Sequence, residues 1–174
     1  TACPDATSHI RTDPSSCPLA RKSPDRLHAT ARHTDASATM MKTLMEQLAE
    51  AGGRPVLIHG HGDAFSAGLD LREVAAFDAA GMAAHLALLD RFFSTFYQYP
   101  GPLVAAVNGH AIAGGCVLAL CCDLRVATKS PGVLIGLNEV AIGLMFPPRV
   151  LKLAKSRLAP SHLSRVILEG GLHH

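Results

Sequence analysis

From about residue 37 onward the apolar residues of this chain recur with periods that switch between helix and strand, and before it they do not. The opening stretch, "TACPDATSHIRTDPSSCPLARKSPDRLHATARHTD", mixes Pro, Ser, Thr, Asp and Arg without a sustained period of 2 or 3.6. It is expected to be irregular or disordered, a segment 1–36 that adds little to the core. In "DASATMMKTLMEQLAEAGG", Met41, Leu44, Met45 and Leu48 fall at helical spacing, with Ser37 or Asp35 as a cap and Gly52-Gly53 as the stop. "RPVLIHG" is a short apolar run bounded by Pro and Gly, the pattern of a strand buried on both faces. "HGDAFSAGLD" then reads as a glycine-punctuated loop.

Helical spacing returns from Asp78 to Tyr99, where Pro100-Gly101 ends it. "PLVAAVNG" repeats the buried-strand pattern and passes through "HAIAGG" into "CVLALCC", a helix introduced by two glycines. "LRVAT" and "GVLIG" predict two further short strands around a Lys-Ser-Pro-Gly turn. "PRVLKLAKSRLAPSHLSRVILEGG" predicts two short helices divided at Pro160. Strands alternating with helices imply an α/β layered fold over residues 37–170, followed by a tail, 171–174. No fixed-period repeat is visible.

Composition narrows the class. A chain of 174 residues, 48% hydrophobic and 17% charged, can bury one substantial core but not two. The net charge of +2 is small and no Lys/Arg cluster is interleaved with aromatics, which argues against a nucleic-acid partner. No apolar run has bilayer-spanning length, so no membrane partner is expected and a cytoplasmic setting is. The acids Asp5, Asp13, Asp25 and Asp35 argue against an organelle transit peptide. Cys116, Cys121 and Cys122 share one apolar run without ligand-type spacing, as expected of buried reduced thiols used as small hydrophobes.

Three stretches carry candidate chemistry. "HGHGDA", residues 59–64, places His-x-His-x-Asp after a strand as some metal sites do, but Ala64 stands where another histidine would be needed and no later His-rich loop completes a ligand set. No metal is expected. "FSAGLD" and "AIAGGC" each put glycines after an apolar strand, where backbone can approach a ligand and present its N–H groups. In the second, the glycines also begin an apolar helix, whose dipole favours negative charge. Such loops suit an oxyanion hole, a phosphate site or simple tight turns. The third stretch, "IGLNEVAIG", sets Glu139 among Ile135, Leu137, Val140, Ile142 and Leu144. A glutamate so placed is either an exposed loop acid or a partly desolvated one, whose raised pKa makes it a better proton acceptor near neutral pH.

Taken together, "FSAGLDL" (65–71), "PLVAAVNGHAIAGGCVLALCCDLRVA" (102–127) and "IGLNEVAIGL" (135–144) resemble the enoyl-CoA hydratase/isomerase, or crotonase, superfamily, in the right order between about Ser37 and Leu168. The resemblance implies the crotonase layered fold of repeated strand-helix units, in a shortened form. The stretch before Ser37 lacks the paired opening strands and the "NAL" segment, and "RVILEGGLHH" stops short of the C-terminal helices. It further implies an oxyanion hole from the backbone N–H groups of Leu69 and Gly114, with Ser66, Ala67, Gly68, Leu69 and Asp70 lining an acyl-CoA site. Hydratases of the family carry two glutamates; here the first position is Val117 and only Glu139 remains. The "GLNE" context is most similar to the Δ3-Δ2-enoyl-CoA isomerases, in which one glutamate moves the proton. An acyl-CoA thioester substrate, no separate cofactor, and a homotrimer or hexamer are the corresponding expectations.

Overall fold

The computed structural model describes residues 27–30 and 35–173. In chain order these form β1 (Leu27–Thr30), β2 (Asp35–Ala36), α1 (Ala38–Ala51), β3 (Val56–His59), β4 (Ala64–Ser66), β5 (Gly68–Leu69), α2 (Leu71–Ala75), α3 (Ala79–Tyr97), β6 (Leu103–Val107) and β7 (His110–Ile112). There follow α4 (Gly114–Cys121), β8 (Leu124–Ala127), β9 (Ile135–Gly136), a 3-10 turn (Val140–Ile142), α5 (Pro148–Arg157) and α6 (Pro160–Leu168).

The strands sort into a four-stranded parallel sheet, β1-β3-β6-β8, a three-stranded parallel sheet, β4-β7-β9, and the pair β2-β5. The chain visits the two larger sheets in turn. β3 leads to β4, β6 to β7 and β8 to β9, so the order of strands in the large sheet is repeated in the small one. Helices return the chain between passages, which is the layered α/β arrangement that the alternating pattern implies.

Local signals explain the helices. The Ser37 hydroxyl accepts the Met40 N–H at 3.3 Å to start α1, and Gly52, in the left-handed region at φ 57°, ends it. Asp78 caps α3 in the same way through the Gly81 N–H at 2.7 Å. The core is continuous: Met41, Leu44 and Leu48 of α1 and Phe92 and Phe96 of α3 join Val56 and Ile58 of β3, Leu103 and Ala105 of β6, and nearly all of α4. Each such Leu, Ile or Phe contributes about 1.5–3 kcal/mol by leaving water.

Several expectations are corrected. Strands β1 and β2 lie inside the segment expected to be irregular, and β1 pairs Leu27 to Thr30 against Val56 to His59 as an edge of the large sheet. Four-residue pairing supplies backbone hydrogen bonds that side-chain periodicity does not announce; residues 1–26 and 31–34 of that segment lie outside the described residues. "FSAGLD" is two short strands rather than a loop, and α2 precedes α3. β3 and β6 alternate between fully and partly buried positions instead of burying both faces alike. All four residues of β8, at the sheet edge, are exposed. Within the supposed tail, His173 pairs with Ile135 by two backbone hydrogen bonds of 2.9 Å.

Candidate functional site

The small sheet positions the site. In parallel α/β architectures, ligands bind beyond the carboxyl ends of the strands, where loops leave backbone groups unpaired. β4 ends at Ser66 and delivers Ala67, Gly68 and Leu69; β7 ends at Ile112 and delivers Ala113 and Gly114; β9 ends at Gly136 and delivers Leu137, Asn138 and Glu139. Because the order is β4-β7-β9, the three stretches singled out by sequence emerge side by side.

The first two meet at backbone distance. A Cβ added to Gly68 would sit 3.1 Å from the Gly114 nitrogen and 3.0 Å from the Ile112 oxygen, and Gly68 has φ 90°, so a side chain would be tightly placed and its backbone strained. A Cβ on Gly114 would lie 4.0 Å from the Leu69 nitrogen. The Leu69 and Gly114 N–H groups therefore flank one small region. A Cβ on Gly115 would collide with the Ser66 carbonyl, so α4 can lie against β4 only because that residue is glycine. Ala113 is the one non-glycine residue of positive φ, 50°, among those described, and it is the N-cap of α4. Strain of about 1–3 kcal/mol at such a position persists only where the surroundings enforce it. Here β7 and β9 do so: the Ala113 N–H is held by the Gly136 carbonyl at 2.9 Å. No side chain caps α4, which leaves its first-turn N–H groups and the positive end of its dipole directed outward from the helix start.

The other residues expected to line the site divide by role. The Ser66 hydroxyl is buried and accepts the Gly68 N–H at 3.3 Å, holding the loop. Ala67 is exposed and Leu69 half-buried. The Asp70 carboxylate accepts the Arg72 and Glu73 N–H groups at 2.9 and 3.3 Å and so caps α2.

Glu139 is half-buried, and its Oε2 is shielded from solvent without a hydrogen-bond partner among the described residues. Burial pushes its pKa above the ordinary glutamate value, and its own backbone N–H opposes this in part. Its titratable neighbour is Cys116 in the first turn of α4, whose thiol is pushed up to about 12 by burial and then by the Glu139 charge. The bond from the Ala113 N–H to the Gly136 carbonyl, 2.9 Å, brings the strand end that leads to Glu139 against the residue that precedes Gly114. Val117 is 1% exposed and packs in the core. The arrangement thus sets the backbone of Leu69 and Gly114 and a carboxylate of raised pKa at the same end of the small sheet.

The backbone of "HGHGDA" is held by a side chain from the end of β6. Asn108, which the sequence reading did not single out, accepts the Gly60 N–H at 2.8 Å and donates to the Gly62 carbonyl at 3.0 Å. Among the described residues no three His, Cys, Asp or Glu side chains are grouped to hold a metal. Cys116, Cys121 and Cys122 are buried free thiols, as expected. Sequence reasoning also missed an apolar cavity of about 720 Å³ between α3 and α5, with Leu89, Phe93, Met145, Phe146 and Leu153 in its wall. Phe93 links it to the glycine loops, since its Cζ lies 3.7 Å from the position of a Cβ on Gly114. Only the apolar face of α3 signals Phe93, and that signal is the same for any core residue.

The sequence matches the enoyl-CoA hydratase/isomerase family over residues 25–173. It is 40% identical over 126 residues to a Thermus thermophilus protein that carries an enoyl-CoA hydratase name, covering 68% of this chain and 49% of that protein. Over 83 residues it is 43% identical to mouse mitochondrial enoyl-CoA delta isomerase 1, covering 48% of this chain and 29% of the mouse protein. The chain thus spans about half the length of these curated relatives, or less. The crystal structure of human mitochondrial delta3-delta2-enoyl-CoA isomerase superposes with a TM-score of 0.77 at 28% identity, covering 83% of this chain and 60% of that one.

Proposed function

Given that the chain belongs to the enoyl-CoA hydratase/isomerase, or crotonase, family, we propose that it moves the double bond of a 3-enoyl-CoA to the 2-position with Glu139 as the only proton carrier. The carboxylate removes a proton from C2, and the C–H electron pair passes into a dienolate whose negative charge rests on the thioester oxygen. The Leu69 and Gly114 N–H groups stabilise that oxygen. Glu139 then returns the proton at C4, which leaves the double bond between C2 and C3. No net proton, electron or water is exchanged, so no cofactor beyond the coenzyme A of the substrate enters the scheme. Ser66 to Asp70 shape the wall along the thioester, and the apolar cavity beside Phe93 suits the acyl chain. A homotrimer or hexamer in the cytoplasm belongs to the same proposal.

The observation that carries this reading is a single shielded carboxylate beside the start of α4, with valine at the α4 position where a second acid would serve hydration. Water addition needs one proton taken from water and another delivered to C2, whereas a 1,3-shift needs one group acting twice. The hydratase names among similar proteins favour a second reading, hydration of a 2-enoyl-CoA with Glu139 acting in both steps. Other single-acid crotonase reactions, hydrolysis or decarboxylation, would use the same oxyanion donors. Incubation with a 3-enoyl-CoA in heavy water, followed by mass spectrometry, tests the proposal: isomerisation with deuterium exchange at C2 is expected, abolished in Glu139→Gln. Water addition without isomerisation would establish the second reading, and saturable ester binding without turnover would mark an inactive acyl-CoA-binding module.

A further inference from the structure

The turn that carries Glu139 has little of its own to hold it. None of residues 140–145 is buried, and the 3-10 turn has no buried side chain. Its internal bonds, Leu144 N–H to the Glu139 carbonyl at 2.8 Å and Gly143 N–H to the Val140 carbonyl at 3.1 Å, fix its shape but not its place. On one side β9 is anchored to β7 by the Ala111 N–H to Leu134 and Ala113 N–H to Gly136 bonds, both 2.9 Å. On the other side lies the segment Gly170–His173. His173 exchanges two backbone hydrogen bonds with Ile135, both 2.9 Å. A Cβ on Gly136 would come within 2.6 Å of the Gly171 oxygen, so the two backbones are in direct contact. At the far end of the segment Gly170, with φ 62°, lies against Ala141: a Cβ there would stand 3.0 Å from the Ala141 Cβ and 3.1 Å from its nitrogen. Gly170–His173 thus touches the strand before Glu139 and the turn after it.

We propose that Gly170–His173 is a positioning strap, which presses β9 and the turn together so that the Glu139 carboxylate faces the start of α4. The inference rests on the proposed role of Glu139. It assigns no chemistry to the strap itself, whose residues act through Glu139.

The test compares Gly170→Ala and His173→Pro with Gly132→Ala. Gly132 has a left-handed φ of 82° like Gly170, but a Cβ there meets nothing within 4 Å, so it reproduces the backbone strain without a push on the Glu139 turn. His173→Pro removes the N–H given to Ile135 and adds no bulk near Ala141, which keeps the test open if Gly170→Ala does not fold. Two readouts are taken on folded protein: the kcat and KM for a 3-enoyl-CoA, and the titration of the Glu139 side-chain carboxyl followed by carbon NMR. The Cys116 thiol of α4, which the Glu139 charge raises, stays protonated through the carboxyl range and so does not distort the curve.

In the strap variants kcat is expected to fall about tenfold or more, since small misplacements of a reacting group cost that much, while KM changes less than twofold. The Glu139 midpoint is expected to move down toward the ordinary glutamate value as the carboxylate gains water. Gly132→Ala is expected to change neither. The proposal is overturned if kcat and the midpoint are those of the wild type in the strap variants, or if Gly132→Ala moves them equally. A protein without turnover would defeat the isomerase reading alone, because the NMR titration still reports whether the strap sets the surroundings of Glu139.

Discussion

The large and small sheets are built from the same parallel pairing, yet they differ in what sets their strand lengths. In β3 and β6 the strands run 4 and 5 residues with burial alternating along them, and register is fixed by side chains entering the core. In the small sheet the strands run 2 or 3 residues and register shifts between Ala64 and Ser66. There the chain is held by close backbone contacts at Gly68 and Gly115 and by a strained Ala113. One sheet stores stability, and the other spends geometry on bringing three strand ends together. Regular structure is shortest where the glycine stretches and Glu139 lie.

That contrast predicts that substitutions in the two sheets separate chemistry from stability. The largest effect on turnover belongs to Glu139→Gln, which keeps the shape and hydrogen-bonding capacity but has no basic site. Loss of a general base costs about 100- to 10,000-fold, so isomerisation and C2 exchange should fall by that factor while the denaturation midpoint changes little. In the large sheet Ile58→Ala should do the reverse. Ile58 is 1% exposed, and such a truncation typically costs about 2–5 kcal/mol of stability. With the variant still folded, kcat should stay within a few-fold of the wild type. A collapse of kcat in folded Ile58→Ala would erase the distinction between the sheets.

How far the sequence discloses each sheet follows from the same difference. "PLVAAVNG" and "RPVLIHG" are legible because a buried strand must be apolar over several residues. β4 and β5 are not, because runs of 2 or 3 residues carry no period, and "FSAGLD" reads as a loop; β9 is legible only because its two residues end the longer apolar run "GVLIG". β1 escapes notice for another reason: "LHAT" is known by its backbone register with β3, and backbone pairing leaves no period in the sequence. The positions of Gly114 and Glu139 along the chain are visible in sequence through glycines before a helix and an acid among apolar residues. Their adjacency is not, since it depends on strand order, and neither is the contribution of Gly170, whose contact with Ala141 spans distant parts of the chain.

The neighbouring glycines of α4 sharpen the comparison further. Gly114→Pro removes one N–H at the first helical position, where proline is tolerated, and loss of one oxyanion donor costs about 100- to 1,000-fold in kcat, or about 2.7–4 kcal/mol. Gly115→Ala keeps every N–H but drives a methyl group into the Ser66 carbonyl, so it should lower stability by about 1–3 kcal/mol as α4 is pushed off β4. Kinetics at a temperature where both variants are folded, set beside urea denaturation, distinguishes them. Equal loss of stability in both would mean that Gly114 serves packing and not the oxyanion.

The smallest expected effect is thermodynamic and concerns the cost of keeping Glu139 where it is. Its pKa in the folded chain is raised by burial above the ordinary glutamate value of 4.5, which holds in the unfolded chain. A group with a raised folded pKa contributes its stability fully below the unfolded value and loses it as pH rises through the folded one. Between those limits and above, the ionised carboxylate therefore weighs against folding, and a neutral glutamine does not. Glu139→Gln should match the wild type in stability near pH 4, where both side chains are neutral for the most part, and gain on it by about pH 8. Urea midpoints of the two proteins at both pH values measure the gain directly. A difference that is the same at both would mean that the carboxylate is as well hydrated in the folded chain as in the unfolded one. The small sheet would then hold no poised base, and its distinction from the large sheet would rest on backbone geometry alone.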